Sequence, residues 1–341
     1  MNKPTIALWH WHIEVSSKCT LACLRCPRQE VPGTLVNTEL DLEFFKKNFT
    51  PEFIMNYVEK ITFCGNDGDP IYAHEFAEII DYIKSIKPVT MIIVTNGSHK
   101  KTTWWESLAK SLSFPDQIHF SLDGWDQESN EKYRVNSDFA SVINGIETVR
   151  KNSDCWMIWD AIGFEFNQNE IDVMRDMADK LGFDQFQLTK STKFGKMNPN
   201  VYGLVDPLQP KDSLMSSSKR FEREIQQLSE RTLTEPWMET NIKFYNKAEI
   251  IADNIKPLCH IGNKGLFINS QGDFYPCSWV ANRYAHNAYW IEIGKRFNLF
   301  NNDLIAVVND NIWQSDFIQD SIECRSKCGA QQVSMDYALA W

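Results

Sequence analysis

The sequence predicts an α/β fold, a partial (β/α)6 TIM-like barrel with a small C-terminal unit of different character. Three observations carry this expectation. Short apolar runs alternate with helix-period segments through the first two hundred residues. The alternation then stops in a stretch rich in Gly, Pro, Asn and Ser. From residue 256 onward the chain is short, cysteine-bearing and rich in turn residues. Strand–helix alternation implies right-handed crossovers and a parallel sheet. About six such units fit, too few for a closed eight-unit barrel.

Taken in order, the runs near 8–16, 60–64, 89–95, 117–122, 156–166 and 185–189 read as strands. Between them, Phe76, Ile79, Ile80, Ile83 and Ile86 recur at one-face helical spacing, as do Phe139, Val142, Ile143, Ile146 and Val149, with Ser137 as the expected N-cap. Thr103 with Glu106 resembles a capping box opening a further helix. Ile171, Met174, Ala178 and Leu181 line a fourth, ended by Gly182. Residues 1–195 are thus expected to form the core, and 196–255 a linker with a charged helical stretch over 219–231. Residues 256–341 are expected to form a second unit too small for a large core, which a metal centre would help to hold.

Composition narrows the class. The chain has 341 residues, 43% of them hydrophobic, enough for a core and against long disorder. No apolar run approaches the length of a membrane span and no basic-then-apolar signal opens the chain, so a soluble, cytoplasmic protein is expected, without a membrane partner. The net charge of -10 argues against a broad nucleic-acid footprint, which needs a basic face. Nine cysteines, an odd count without a secretion signal, point away from a disulfide framework and toward metal binding.

The sharpest signal is Cys19-Thr-Leu-Ala-Cys23-Leu-Arg-Cys26-Pro, three cysteines at C-x3-C-x2-C in a loop directly after the first strand. Cysteine thiolates hold iron–sulfur clusters, and three ligands on a four-iron cluster leave one iron open to a small molecule. A structural zinc loop is the other reading. Zinc sites normally use four ligands, and the nearest further one, His12, falls within a strand.

The triad, its place after the first strand and its following proline resemble the radical S-adenosylmethionine (SAM) superfamily. Further segments fall in the family's order. Cys64-Gly-Asn-Asp-Gly68-Asp69-Pro70 looks like a variant of the Gly-Gly-Glu-Pro motif that binds the SAM amino group, with Asp69 in place of Glu. Thr95-Asn96-Gly97 resembles the family's turn after the third strand. His119-Phe-Ser121-Leu-Asp123-Gly124, with Arg134 downstream, resembles its Ser-Leu-Asp-Gly segment. Ligands in such folds gather at the C-terminal strand edges, where all four segments fall. The resemblance implies a [4Fe–4S] cluster on Cys19, Cys23 and Cys26, and SAM contacts from Gly68, Asp69, Asn96, Ser121, Asp123 and Arg134. It further implies reductive cleavage of SAM to a 5'-deoxyadenosyl radical that takes hydrogen from a substrate, and an electron donor such as flavodoxin or ferredoxin.

Cys259, Cys277, Cys324 and Cys328 can close a second tetrahedral site. Phe267–Cys277 reads as two short strands around a Ser-Gln-Gly-Asp turn, and the spacing of Cys324 and Cys328 puts both thiols on one helical face. The spacing resembles the twitch domain, a shortened SPASM extension carrying one auxiliary [4Fe–4S] cluster. A zinc ribbon would use the same four thiols.

Among single residues, His10, His12 and Glu14 alternate with Trp9, Trp11 and Ile13, so the polar three share one strand face. His12 and Glu14 are the candidates for touching substrate or SAM; Lys190 and Trp159 are weaker lumen candidates. Cys64 and Cys155 read as buried fillers, and Trp104 and Trp105 as helix packing. The first strand begins within ten residues of Met1, which weighs against a leader-peptide recognition domain. Two functions stand at this point: a radical SAM enzyme performing net oxidation or bond formation on a small molecule or peptide, and a non-catalytic iron–sulfur or zinc-binding structural protein.

Overall fold

The computed structural model describes residues 9–30, 33, 35–189, 206–211, 266–281 and 288–314. These fall in two compact units. The first takes the described residues up to Lys18, Val36–Thr90 and those beyond Arg231; the second takes those of Cys19–Leu35 and of Met91–Glu230. The expected helix over 219–231, together with Lys190, Cys259, Cys324 and Cys328, lies outside the described residues.

In the first unit, β1 (His10–Ile13) pairs in parallel with β2 (Lys60–Phe63) on one side and with β7 (Leu266–Ile268) on the other. β7 turns back antiparallel into β8 (Phe274–Tyr275). The two-strand reading of 267–277 therefore matches the chain, and the hairpin is closed by Asn269 N–H donating to the Asp273 carbonyl at 3.1 Å. The alternation expected for β1 is present. Trp11 and Ile13 are fully buried, and Trp11 meets Phe49 and Phe53 edge-on at 5.1 and 5.7 Å. Phe49 ends α2 (Leu42–Asn48), and Phe53 lies in α3 (Pro51–Tyr57). α4 (Phe76–Ile86) buries Phe76, Ile79, Ile80 and Ile83, the stripe its period foretold.

In the second unit, β3 (Thr90–Thr95), β4 (Gln117–Ser121), β5 (Trp156–Ile162) and β6 (Gln185–Thr189) form consecutive parallel pairs. The helices between them are α5 (Thr102–Lys110), α6 (Gln127–Glu131), α7 (Phe139–Asn152) and α8 (Ile171–Lys180). One sheet face is apolar and packs under helices: Phe120 contacts Trp105 and Phe183, and Trp159 contacts Phe183 and Phe186. Strand side chains alternate, so Gln117, His119, Ser121 and Asp160 take the opposite face. Trp159 is consequently core, fully buried with its indole N–H donating to the Leu122 carbonyl at 2.9 Å, and is no lumen residue.

Two helix starts differ from expectation. α7 is capped by Asp138, whose carboxylate accepts from Ser141 N–H; Ser137 is occupied, its hydroxyl accepting from Asn130 Nδ2 at 3.0 Å. α5 has Lys101 at its cap position with no side-chain cap, because the helix already includes Thr102 and Thr103. Gly182 ends α8 as expected, at φ +77°, in the left-handed region that glycine adopts without steric cost.

Asp126 caps α6 through Ser129, whose backbone N–H and hydroxyl both donate to it at 2.7 Å. These bonds hold the carboxyl below its usual value, so the stabilisation is present above the ordinary aspartate pKa and is lost as pH falls through the depressed one. Asp126→Ala should lower stability by about 1 kcal/mol at neutral pH, and thermal melts should show the gap from wild type closing in acid. Asp126→Asn, which caps without titrating, should stay near wild type at neutral pH.

Candidate active site

The second unit holds Cys19, Cys23, Cys26, Asn96, Ser121, Asp123 and Arg134 of the sequence-predicted site residues. The triad loop is clamped by backbone pairing: Ala22 N–H donates to the Val135 carbonyl at 2.9 Å and Leu24 N–H to the Tyr133 carbonyl at 3.3 Å. These bonds bracket Arg134. Its guanidinium Nε lies 2.7 Å from Asp123 Oδ2, and the Asp123 side chain is fully buried. Asp123 is fixed from every side. Oδ1 accepts from Ile162 N–H at 2.7 Å, its own N–H donates to Asn130 Oδ1 at 2.9 Å, and its carbonyl accepts from Asn167 Nδ2 at 2.8 Å. Burial raises the Asp123 carboxyl above the ordinary value, and Arg134 opposes that rise without cancelling it.

Cys19, Cys23 and Cys26 are all partly exposed, and none of them is in a disulfide. Cys23 packs against Tyr133, Phe164 and Leu208. Although the residue keeps some exposed surface, its thiol is enclosed, and burial pushes it up to about 12 against the pull of Arg134. Asn96 Nδ2 points at Cys19 Sγ at 3.6 Å, a donor aimed at a sulfur. The donor set is three thiols in one short loop, which suits a sulfur-ligated iron cluster. Among the described residues no group of His, Cys, Asp and Glu converges as a single-ion site would require.

The triad loop has a further anchor that the sequence did not signal. Arg25, one residue before Cys26, makes a two-pronged pair with Asp206: Nε to Oδ2 at 3.0 Å and Nη2 to Oδ1 at 2.6 Å. Both side chains are buried, at 4% and 0% exposure, so the pair is sheltered from solvent screening. Asp206 lies in the stretch expected to be linker, 181 residues away in sequence, where no local periodicity could flag it.

The first unit holds His12, Glu14, Gly68, Asp69 and Cys277. Glu14, buried to 3%, accepts through Oε1 from the N–H groups of Asp67 and Gly68 at 2.6 and 3.0 Å. That bonding fixes the loop after β2. At Gly68, a Cβ would fall 2.0 Å from the Ser16 carbonyl oxygen, so the backbones approach too closely for any side chain. Asp69 spends its Oδ1 capping the 3-10 turn Pro70–Tyr72 and its N–H on the Lys18 carbonyl. His12 Nε2 lies 2.6 Å from the Cys64 carbonyl. Cys64 itself is partly exposed rather than buried, because it sits past the end of β2; Cys155 is fully buried, its thiol lifted by burial to about 11.

Residues 13–178 match the family model described as the Radical SAM superfamily. Over 178 residues the chain is 26% identical to a probable GTP 3',8-cyclase of Methanococcus maripaludis, covering 50% of this chain and 56% of that protein. Among solved structures, Streptococcus suis SuiB bound to its precursor peptide SuiA gives a TM-score of 0.59 at 17% identity, covering 90% of this chain and 65% of that one. SuiB bound to S-adenosylmethionine gives 0.58 at 16% identity, covering 94% and 72%. Histidine-tagged anSMEcpe with bound AdoMet gives 0.51 at 15% identity, covering 90% and 81%. At these identities the structural likeness establishes the α/β fold. The superfamily implies a [4Fe–4S] cluster and SAM.

Asp206→Ala strands the Arg25 guanidinium in a buried site and should cost about 3–5 kcal/mol in urea denaturation. The double change Arg25→Met with Asp206→Leu removes both charges and should recover most of that loss.

Proposed function

We propose that the protein is a radical SAM enzyme acting on a small molecule or peptide, with net oxidation or bond formation as the outcome. The observation that carries this reading is the Cys19–Cys23–Cys26 loop, held by the backbone on either side of Arg134 within a matched superfamily domain. Cys19, Cys23 and Cys26 would hold the [4Fe–4S] cluster. Gly68, Asp69, Asn96, Ser121, Asp123 and Arg134 would contact SAM or fix the groups that do. When bound, cluster and SAM supply one-electron cleavage of the sulfonium and a 5'-deoxyadenosyl radical that takes hydrogen from the substrate.

The chain's own residues divide that work. Asp123 is too enclosed to meet a ligand directly, and it orients Arg134. Glu14 holds the Gly68–Asp69 backbone and leaves the binding of an amino group to carbonyl oxygens of that loop. Its buried, doubly bonded carboxylate favours this positioning role over catalysis. His12 remains the candidate for substrate contact on β1. Cys259, Cys277, Cys324 and Cys328 would ligate an auxiliary [4Fe–4S] cluster in a twitch domain over 256–341, and a flavodoxin- or ferredoxin-like donor would supply electrons. A nucleotide cyclase and a peptide-bound structure both stand among the similar proteins, in keeping with a small-molecule or peptide substrate.

Anaerobic protein should carry roughly eight irons per chain, four per cluster, and the Cys19/Cys23/Cys26→Ala triple variant about half. With SAM and dithionite, wild type should form 5'-deoxyadenosine and the triple variant none. Zinc in place of iron after anaerobic preparation overturns the reading. Cys324→Ala should leave 5'-deoxyadenosine formation intact while product formation stops; normal product formation would remove the auxiliary site from the electron path.

A further inference from the structure

Asn96 directly follows β3, and the two ends of its side-chain amide face different partners. Oδ1 accepts from the Ser98 N–H at 2.9 Å, and Nδ2 points at Cys19 Sγ at 3.6 Å. Sulfur is larger than oxygen, so that separation is within hydrogen-bond reach. Asn96 is buried, and it belongs with Cys19 to the second unit. Chemistry fixes which end faces which. Turned over, the amide would set its NH2 group against the Ser98 N–H, donor to donor, and its oxygen against a sulfur that is itself an acceptor once deprotonated. Only the observed orientation gives each end a complementary partner, and it leaves an N–H on the Cys19 sulfur.

The turn that carries this amide is itself held. Gly97 N–H donates to Thr95 Oγ1 at 3.0 Å. Gly97 lies at φ +71°, and a Cβ there would fall 3.1 Å from both Phe120 Cδ1 and Val142 Cγ1. Ser98 is fully buried, and its hydroxyl accepts from Asp138 N–H at 3.3 Å, which ties the turn to the cap of α7. Asn96 therefore presents its N–H from a fixed frame. Cys23, by contrast, packs against the apolar group of Tyr133, Phe164 and Leu208. A hydrogen bond to a ligating sulfur favours the state with more negative charge on that sulfur, which is the one-electron-reduced cluster. It therefore raises the reduction potential.

We infer that Asn96 tunes the iron–sulfur cluster expected on Cys19, Cys23 and Cys26: by donating to the Cys19 sulfur it makes that cluster easier to reduce. The inference rests on the radical SAM reading for the cluster, while the amide–sulfur contact stands on the second unit's geometry. Asn96 acts through Cys19 and is a positioning residue, with its partner on the cluster where the family resemblance implies a contact to SAM. The step it serves is the transfer of one electron from the flavodoxin- or ferredoxin-like donor. The donor is oxidised and the cluster reduced, and no bond is made or broken.

The anaerobic, iron-loaded full chain, without SAM, can be poised at a series of potentials and followed by EPR, using the signal that the Cys19/Cys23/Cys26→Ala variant lacks. Asn96→Ser keeps a side-chain oxygen for the Ser98 N–H but ends an atom short of Nδ2, whereas Asn96→Ala loses both. Both should lower the midpoint potential alike, by up to about tenfold in the one-electron equilibrium, or about 59 mV. A drop confined to Asn96→Ala would mark a role in the turn alone and overturn the inference. An unchanged potential in Asn96→Ser would also overturn it, and weaker SAM binding in that variant would then return Asn96 to SAM. A second measurement needs no variant. With asparagine carrying nitrogen-15 in its side-chain amide, the reduced wild-type cluster should show a nitrogen-15 coupling in pulsed EPR, and its absence overturns the inference. If wild type binds no cluster at the triad, the radical reading fails and the tuning role with it. If the cluster forms and cleaves SAM with dithionite, yet shows neither coupling nor shift, only the tuning role fails.

Discussion

Asp123 and Arg134 sit 2.7 Å apart with the carboxylate fully enclosed, and the cysteine loop takes its shape from their surroundings. A buried carboxylate is tolerable only when its charge and lone pairs are answered, and here Arg134, Ile162, Asn130 and Asn167 together fix the residue from both side chain and backbone. The backbone on either side of Arg134 then receives the N–H groups of Ala22 and Leu24. The placement of Cys23 is thus tied to an ion pair about a hundred residues downstream. A change at Asp123 would be felt at the cysteines through backbone pairing as much as through charge.

The same economy recurs in the first unit. Glu14, the residue following β1, bonds the amides of Asp67 and Gly68, and Gly68 in turn lies against Ser16 and Ser17. Carboxylates that look catalytic in the sequence are spent holding loops. Loops at strand ends have no ladder to satisfy their backbone groups, so a buried acid accepting two N–H bonds is a direct way to hold one conformation.

Much of this was legible in the sequence. The six parallel strands and the helices over 76–86, 139–152 and 171–180 follow from apolar periodicity, because burial of one face imposes the period. The triad is legible because metal ligation demands sulfur at short, fixed spacing. Cap residues were less secure: Asp138 and Ser137 are both good N-caps, and the choice fell to Asp138 because Asn130 had claimed the Ser137 hydroxyl. Trp159 could not be assigned a face by chemistry alone, since an indole suits either a lumen or a core.

What the sequence determined by itself was the alternation of strand and helix and the identity of the thiols, both properties carried by local spacing. What only the tertiary structure decided were the pairings across long separations: Arg25 with Asp206, Arg134 with Asp123, His119 with Asp160, and β7 beside β1. A polar side chain in a strand or loop carries no mark of its partner. The cost of burying its charge or hydrogen-bonding groups becomes definite only when the fold has removed water from around it, and it is the residue brought near at that moment that answers it.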